Sequence, residues 1–169
     1  MRTAIVSTAI ALLTLIGGCA GPGDSHLEAN KRLVESFNDS VNAADWAALQ
    51  DIVTDDFQRH SAATPGPPVT SRDGFVALQE GFLKSLPDQH TSIRKMAAEG
   101  EMIAVLGTYT GTQTGPLGNF PATGKAVNIP FLAMFRIDGG KIAELWVEFD
   151  NVAILSQLGL FPPPQTDAA

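Results

Sequence analysis

An imidazole moves a proton near neutral pH, so the chemistry of this chain starts with its three histidines, His26, His60 and His90. His60 stands on a short predicted strand over Phe57 to Ser61. It can serve there as a general base or as a ligand hydrogen-bond donor; its alternative is a satisfied structural histidine. Gln58 and Tyr109 are the polar groups that could work beside it. His90 opens a later strand near Asp88 and reads as structural, and His26 reads as solvated near the front of the chain. Asp150 follows Trp146 by four residues and has the look of a catalytic carboxylate. It also stands directly before a final predicted helix, where an Asp accepts from free backbone N–H groups, and that capping role is the preferred reading. Glu148 reads as solvated or interfacial. Three histidines without close spacing do not make a metal site. No Ser/His/Asp triad stands out. The glycine run from Gly111 to Gly124 has no helix after it, so it is a loop and not a nucleotide cradle. No metal and no cofactor is expected.

The elements that must position these groups fall in a helices-then-strands order. Ser25 and Glu28 have capping-box spacing ahead of an apolar stripe at Leu33, Val34, Phe37 and Val41. Asp45 is the expected cap of a second helix carrying Trp46, Leu49, Ile52 and Val53. Pro65 to Pro68 forces a loop. Ser71 then caps a third helix with Phe75, Leu78, Phe82 and Leu86 on one face. Strands follow over His90–Ala97, Met102–Thr112, Ala126–Ile137 and Lys141–Phe149, with turn signals at Glu99-Gly100 and Asp138-Gly139-Gly140. A short helix over Val152–Leu158 stops at Gly159. This order predicts an α+β fold with helices packed on one face of a sheet.

Period-2 alternation assigns the faces of the strands. Ala143, Leu145, Val147 and Phe149 form an apolar set that should point inward, with Glu144, Trp146, Glu148 and Asp150 opposite. Phe131, Ala133, Phe135 and Ile137 match them on the preceding strand, leaving Leu132, Met134 and Arg136 outward. On the middle strand either Ile103, Val105, Gly107 and Tyr109 or the Thr-rich set faces inward, and the first is preferred because a tyrosine presents an apolar ring with a polar tip. Trp146 on the outer face would pack at a dimer contact or stack on Arg136.

The front of the chain reads separately. Met1-Arg2, then an apolar run over Ala4–Ile16 shorter than the ~20 residues a bilayer span takes, describe a secretory signal over 1–18. Leu15-Ile16-Gly17-Gly18-Cys19 resembles a bacterial lipobox, in which the cysteine is acylated and becomes the first mature residue. A cell-envelope, extracytoplasmic, lipid-anchored protein is the expectation, with a tether over 19–25, one domain over 26–160 and a loose tail over 161–169. Cys19 is the chain's one cysteine, so no disulfide can form within it. The formal net charge is −7 and no basic run occurs, which argues against a nucleic-acid partner.

Several phrases carry a resemblance. They are Asp45-Trp46; Asp55-Asp56-Phe57-Gln58-Arg59-His60; Gly111-Thr112-Gln113-Thr114-Gly115 ahead of Pro121-Ala122-Thr123-Gly124-Lys125; and Gly140-Lys141-Ile142-Ala143-Glu144-Leu145-Trp146. In order and spacing the chain resembles the SnoaL-like polyketide cyclase (ester cyclase) family. The resemblance implies a cone-shaped, curved antiparallel or mixed sheet packed against three N-terminal helices, with a short C-terminal helix, similar to nuclear transport factor 2 and ketosteroid isomerase. It implies a deep pocket, and commonly a homodimer through the outer sheet face. It also implies a His/Asp acid/base pair, whose positions carry over to Ala133 and Val147, and neither side chain can move a proton. Two functions therefore compete. One is a binding protein for a small apolar or polycyclic molecule, held by Gln58, Tyr109, Phe131, Ala133, Phe135, Leu145, Val147 and Phe149. The other is a cyclase, isomerase or hydratase working through His60. A third reading is an accessory lipoprotein that meets a partner through Trp146.

Overall fold

A computed structural model describes residues 22–64 and 66–161. Cys19, the signal segment and the tail after Phe161 lie outside the described residues. The first helix, α1, spans Pro22–Ala43. It begins earlier than the expected Ser25 cap and includes residues read as tether, because a proline's fixed φ suits a first helical position. Glu28 accordingly pairs along the helix with Lys31 at 2.7 Å. Val34 and Phe37 are buried, and Leu33 and Val41 pack against the same core.

Asp45 Oδ1 accepts from the Ala48 N–H at 3.1 Å, as a cap does. The helix that follows, α2, is a single turn over Leu49–Ile52. Val53 is already extended (φ −118°, ψ 144°) and opens β1, Val53–His60. The expected second helix is therefore shorter and the strand longer, since Val53 pairs with Ile142 and sheet pairing outweighs the local helical pattern. Ser71 caps α3 (Arg72–Ser85), its hydroxyl accepting from the Gly74 N–H at 3.0 Å. Four strands follow: β2 (His90–Glu99), β3 (Met102–Thr112), β4 (Ala126–Asp138) and β5 (Lys141–Phe149). The final helix, α4 (Asn151–Leu158), is capped by Asp150, which accepts from the Ala153 N–H at 3.0 Å. It ends at Gly159 in the left-handed region (φ 72°), where a residue without Cβ fits without strain.

The sheet order is β1-β5-β4-β3-β2. β1 runs parallel to β5 and the other pairs are antiparallel, so the sheet is mixed. The architecture is α+β. One element departs from simple alternation. Arg136 pairs with Glu144 and Ile137 pairs with Ile142, so Ala143 is an extra residue on β5. This bulge gives Ile142, fully buried, the core position that strict alternation assigns to Ala143.

Phe37, Phe57, Phe75 and Phe135 pack together in the main core, neighbouring ring centroids lying 5.3–6.4 Å apart. Truncating one such ring to alanine costs about 3–5 kcal/mol. A second apolar cluster, Leu86, Val127 and Leu158 with Tyr109, Leu117 and Ile154 around it, joins α3, β4 and α4 elsewhere. Phe131 packs against the first cluster, and Gly107 leaves room for it: a Cβ there would come within 2.2 Å of the edge of the Phe131 ring.

Candidate functional site

Between the inner sheet face and the helices lies a cavity of about 630 Å³. Its wall comes from the inward sets of the strands. Phe131, Ala133 and Phe135 line it from β4, and Leu145, Val147 and Phe149 from β5. Val105 and Tyr109 contribute from β3, Phe82 and Leu78 from α3, and Ile154, Leu155 and Leu158 from α4. The loop after β3 closes over it with Leu117 to Phe120.

That loop is held by Gln113, a residue the sequence reading passed over. Its fully buried amide donates to the carbonyls of Gly115 and Pro121 (3.1 Å each). Its oxygen accepts from the Thr123 N–H (3.2 Å) and hydroxyl (2.7 Å). One side chain thus ties both legs of the loop together. A second overlooked set is Asn38 and Asn42, one turn apart on α1. Asn42 clasps the backbone of Thr91, donating to its carbonyl and accepting from its N–H at 2.8 Å each, and Asn38 Oδ1 accepts from the Thr91 hydroxyl at 2.7 Å. These bonds pin α1 to the first residues of β2 at the edge of the cavity.

Among the described residues, the titratable groups lining the cavity are Arg59, His90 and Tyr109, with no Asp or Glu. Tyr109 donates to Gln89 Oε1 at 3.0 Å. Burial, and after it the Asp88 carboxylate, push the phenol pKa well above its ordinary value, so it stays a neutral donor. Arg59 donates to the Thr64 hydroxyl at 2.9 Å. Burial pulls its pKa down and Glu148 partly offsets this; a guanidinium remains charged regardless. His90 stands at the rim. Asp88 does not serve it, accepting instead from the Thr112 N–H and hydroxyl at 2.6 and 2.7 Å.

His60 does not line this cavity, and neither does Gln58. The physical reason is the pleat. Phe57 is fully buried, so its face-mate on β1 is Arg59, while Gln58 and His60 take the other side. On that outer face His60 Nε2 lies 3.0 Å from Glu144 Oε2, and its ring stacks on Trp146 at 5.0 Å and 16°. Trp146 therefore stacks on His60 rather than on Arg136, which donates to Glu144 at 2.8 Å and to Asp138 at 3.2 Å. Glu148 is exposed, as expected, and it accepts from the Ala62 and Ala63 N–H groups at 2.7 and 3.1 Å, which shapes the turn after β1. Asp150 is spent on its cap. Among the described residues no cluster of His, Cys, Asp or Glu could hold a metal ion, and no helix is long and apolar enough to cross a membrane.

A mixed, curved sheet wrapped around an apolar cavity and closed by helices defines a cone-fold protein with an interior binding space. The sequence profile of the SnoaL-like polyketide cyclase family matches residues 31–158, and the chain belongs to that family. Among solved structures it is similar to IdmH of Streptomyces antibioticus, a candidate polyketide cyclase. Identity there is 25%, with 77% of this chain and 98% of that one covered and a TM-score of 0.69. It is also similar to AclR of Streptomyces galilaeus, a candidate hydroxylase, at 26% identity, 83% and 87% coverage and a TM-score of 0.70. A SnoaL-like protein from Jannaschia shares the nuclear transport factor 2-like fold at 20% identity, with 80% and 94% coverage and a TM-score of 0.72. No curated protein matches the chain.

Proposed function

We propose that this chain is a binding member of its family, holding a small, mainly apolar molecule in the cone cavity, and that the family's acid/base pair is lost. The composition of the cavity wall carries the reading. Ala133 and Val147, the positions to which the resemblance carries the catalytic pair, both line the cavity, and no carboxylate of the described residues lines it. General acid/base catalysis at those two positions would need a titratable group there, and an alanine and a valine supply none. An apolar wall with a few convergent polar groups suits ligand binding. Uptake of the neutral fluorophore N-phenylnaphthylamine tests this. Val147→Phe fills the space and abolishes uptake, whereas His60→Ala, on the outer face, leaves it within about twofold of wild type. Turnover of a polyketide ester or ketosteroid by the wild type, removed by His90→Gln or Tyr109→Phe, would establish the enzyme reading instead.

The proposal extends to location. Cys19 after Gly17-Gly18 supports lipidation and an envelope-anchored domain. Cys19→Ser then moves the protein from the membrane fraction to the soluble one; an unchanged distribution removes the anchor from the proposal.

A further inference from the structure

Arg59 is the one arginine among the described residues that lines the cavity. Its neighbours leave it underused. Of the five N–H donors of a guanidinium, one engages the Thr64 hydroxyl, and no carboxylate of the described residues forms an ion pair with it. Glu148 is near enough to favour the cation, but its two oxygens are committed to the Ala62 and Ala63 N–H groups. Thr64 Oγ1 accepts from both Arg59 and Ser61, so its own hydrogen is available to a further acceptor. A partly buried guanidinium beside an apolar wall is costly to leave without an anion.

We propose that Arg59 and Thr64 recognise an anionic head, and that the ligand class of the cavity is an acidic amphiphile, a mainly apolar molecule bearing one carboxylate. The inference rests on the cavity-binding reading above and names its ligand chemistry. A single planar fork and one hydroxyl match the two oxygens of a carboxylate. The apolar body would extend along Leu145, Val147 and Phe149, the β5 strand that neighbours β1. The protein's general field cannot supply the preference, since the formal net charge is −7.

The test is displacement of N-phenylnaphthylamine from the full chain by dodecanoate and by methyl dodecanoate, each below its micelle concentration. The wild type is expected to prefer the acid by at least about tenfold, as a charge-assisted hydrogen bond implies. Arg59→Met should bring the ratio to about one while the fluorophore still enters, and Arg59→Lys should keep part of the preference. Equal displacement by acid and ester in the wild type, or a preference that survives Arg59→Met, overturns the inference and leaves the cavity reading standing. Failure of the fluorophore and of both competitors to bind wild type overturns both. Dodecyl phosphate displacing more strongly than dodecanoate overturns the assignment of a carboxylate. Should Arg59→Met not fold, the wild-type ratio and Arg59→Lys decide.

Discussion

Tyr109 is the single tyrosine of the chain, so its ionisation can be watched without interference. Burial disfavours the phenolate, and Asp88 repels it. A folded pKa raised above the unfolded value means that this group's contribution to stability is fully present below the unfolded pKa. It is lost as pH rises toward the folded one. Ultraviolet difference spectroscopy is expected to show no tyrosinate in the folded protein at the pH where a free tyrosine is half ionised. Tyrosinate should appear together with alkaline unfolding. A normal titration in folded protein would mean that the ring is solvated and not part of the cavity wall. Arg59 and His60 show how much one position matters at this scale. They are adjacent in sequence, yet one faces the cavity and the other an aromatic stack on the opposite side.

At the scale of elements, the outer face of the sheet carries a short polar ladder: His60 on β1, Glu144 on β5 and Arg136 on β4. The Arg136 hydrogen bond, with His60 assisting and desolvation opposing, holds the Glu144 carboxyl below its ordinary value. The stability this provides is present above the unfolded carboxylate pKa and lost as pH falls through the depressed folded one. Both side chains are partly exposed, so the effect is modest, on the order of 0.2–1 kcal/mol at neutral pH. Glu144→Gln should lower the urea midpoint slightly at neutral pH, and the difference from wild type should close under acid conditions. A difference that persists at low pH would point to packing rather than charge. The same bulge that reaches Glu144 also moves Ile142 into the core, so the ladder and the buried register are set by one extra residue at Ala143.

For the whole molecule, the outer face exposes Leu132 (64%), Met134 (43%) and Leu106 (38%), on neighbouring strands. Apolar side chains grouped in this way mark a contact surface. We propose a homodimer through this face, with Trp146 and Arg136 at or near the contact. Light scattering at micromolar concentration should give twice the monomer mass, and Leu132→Glu together with Met134→Lys should return it to monomer. A wild type that scatters as a monomer at that concentration ends the dimer proposal. Dimerisation on the outer face and ligand uptake on the inner face use opposite sides of one sheet, so the double variant should retain fluorophore uptake.

The α+β order, the turn at Asp138-Gly139-Gly140, the caps at Ser71 and Asp150 and the apolar wall from Phe131 to Phe149 were legible from residues alone. Each depends on local chemistry: a side chain bonding a nearby N–H, a glycine at positive φ, or a period of two along one strand. The sequence also carried, unread, the signal that placed Arg59: it shares the pleat face of Phe57, and His60 does not. Other features depended on partners remote in sequence. Val53 left the helix because Ile142 waited across the sheet. The polar network of Asn38 and Asn42 needed Thr91, and the carboxylate of Glu148 needed the turn at Ala62 and Ala63. Periodicity states which residues share a face. Which face becomes a cavity, and which charged group lines it without a salt bridge among the described residues, is decided only when strands and helices distant in sequence close around the same space.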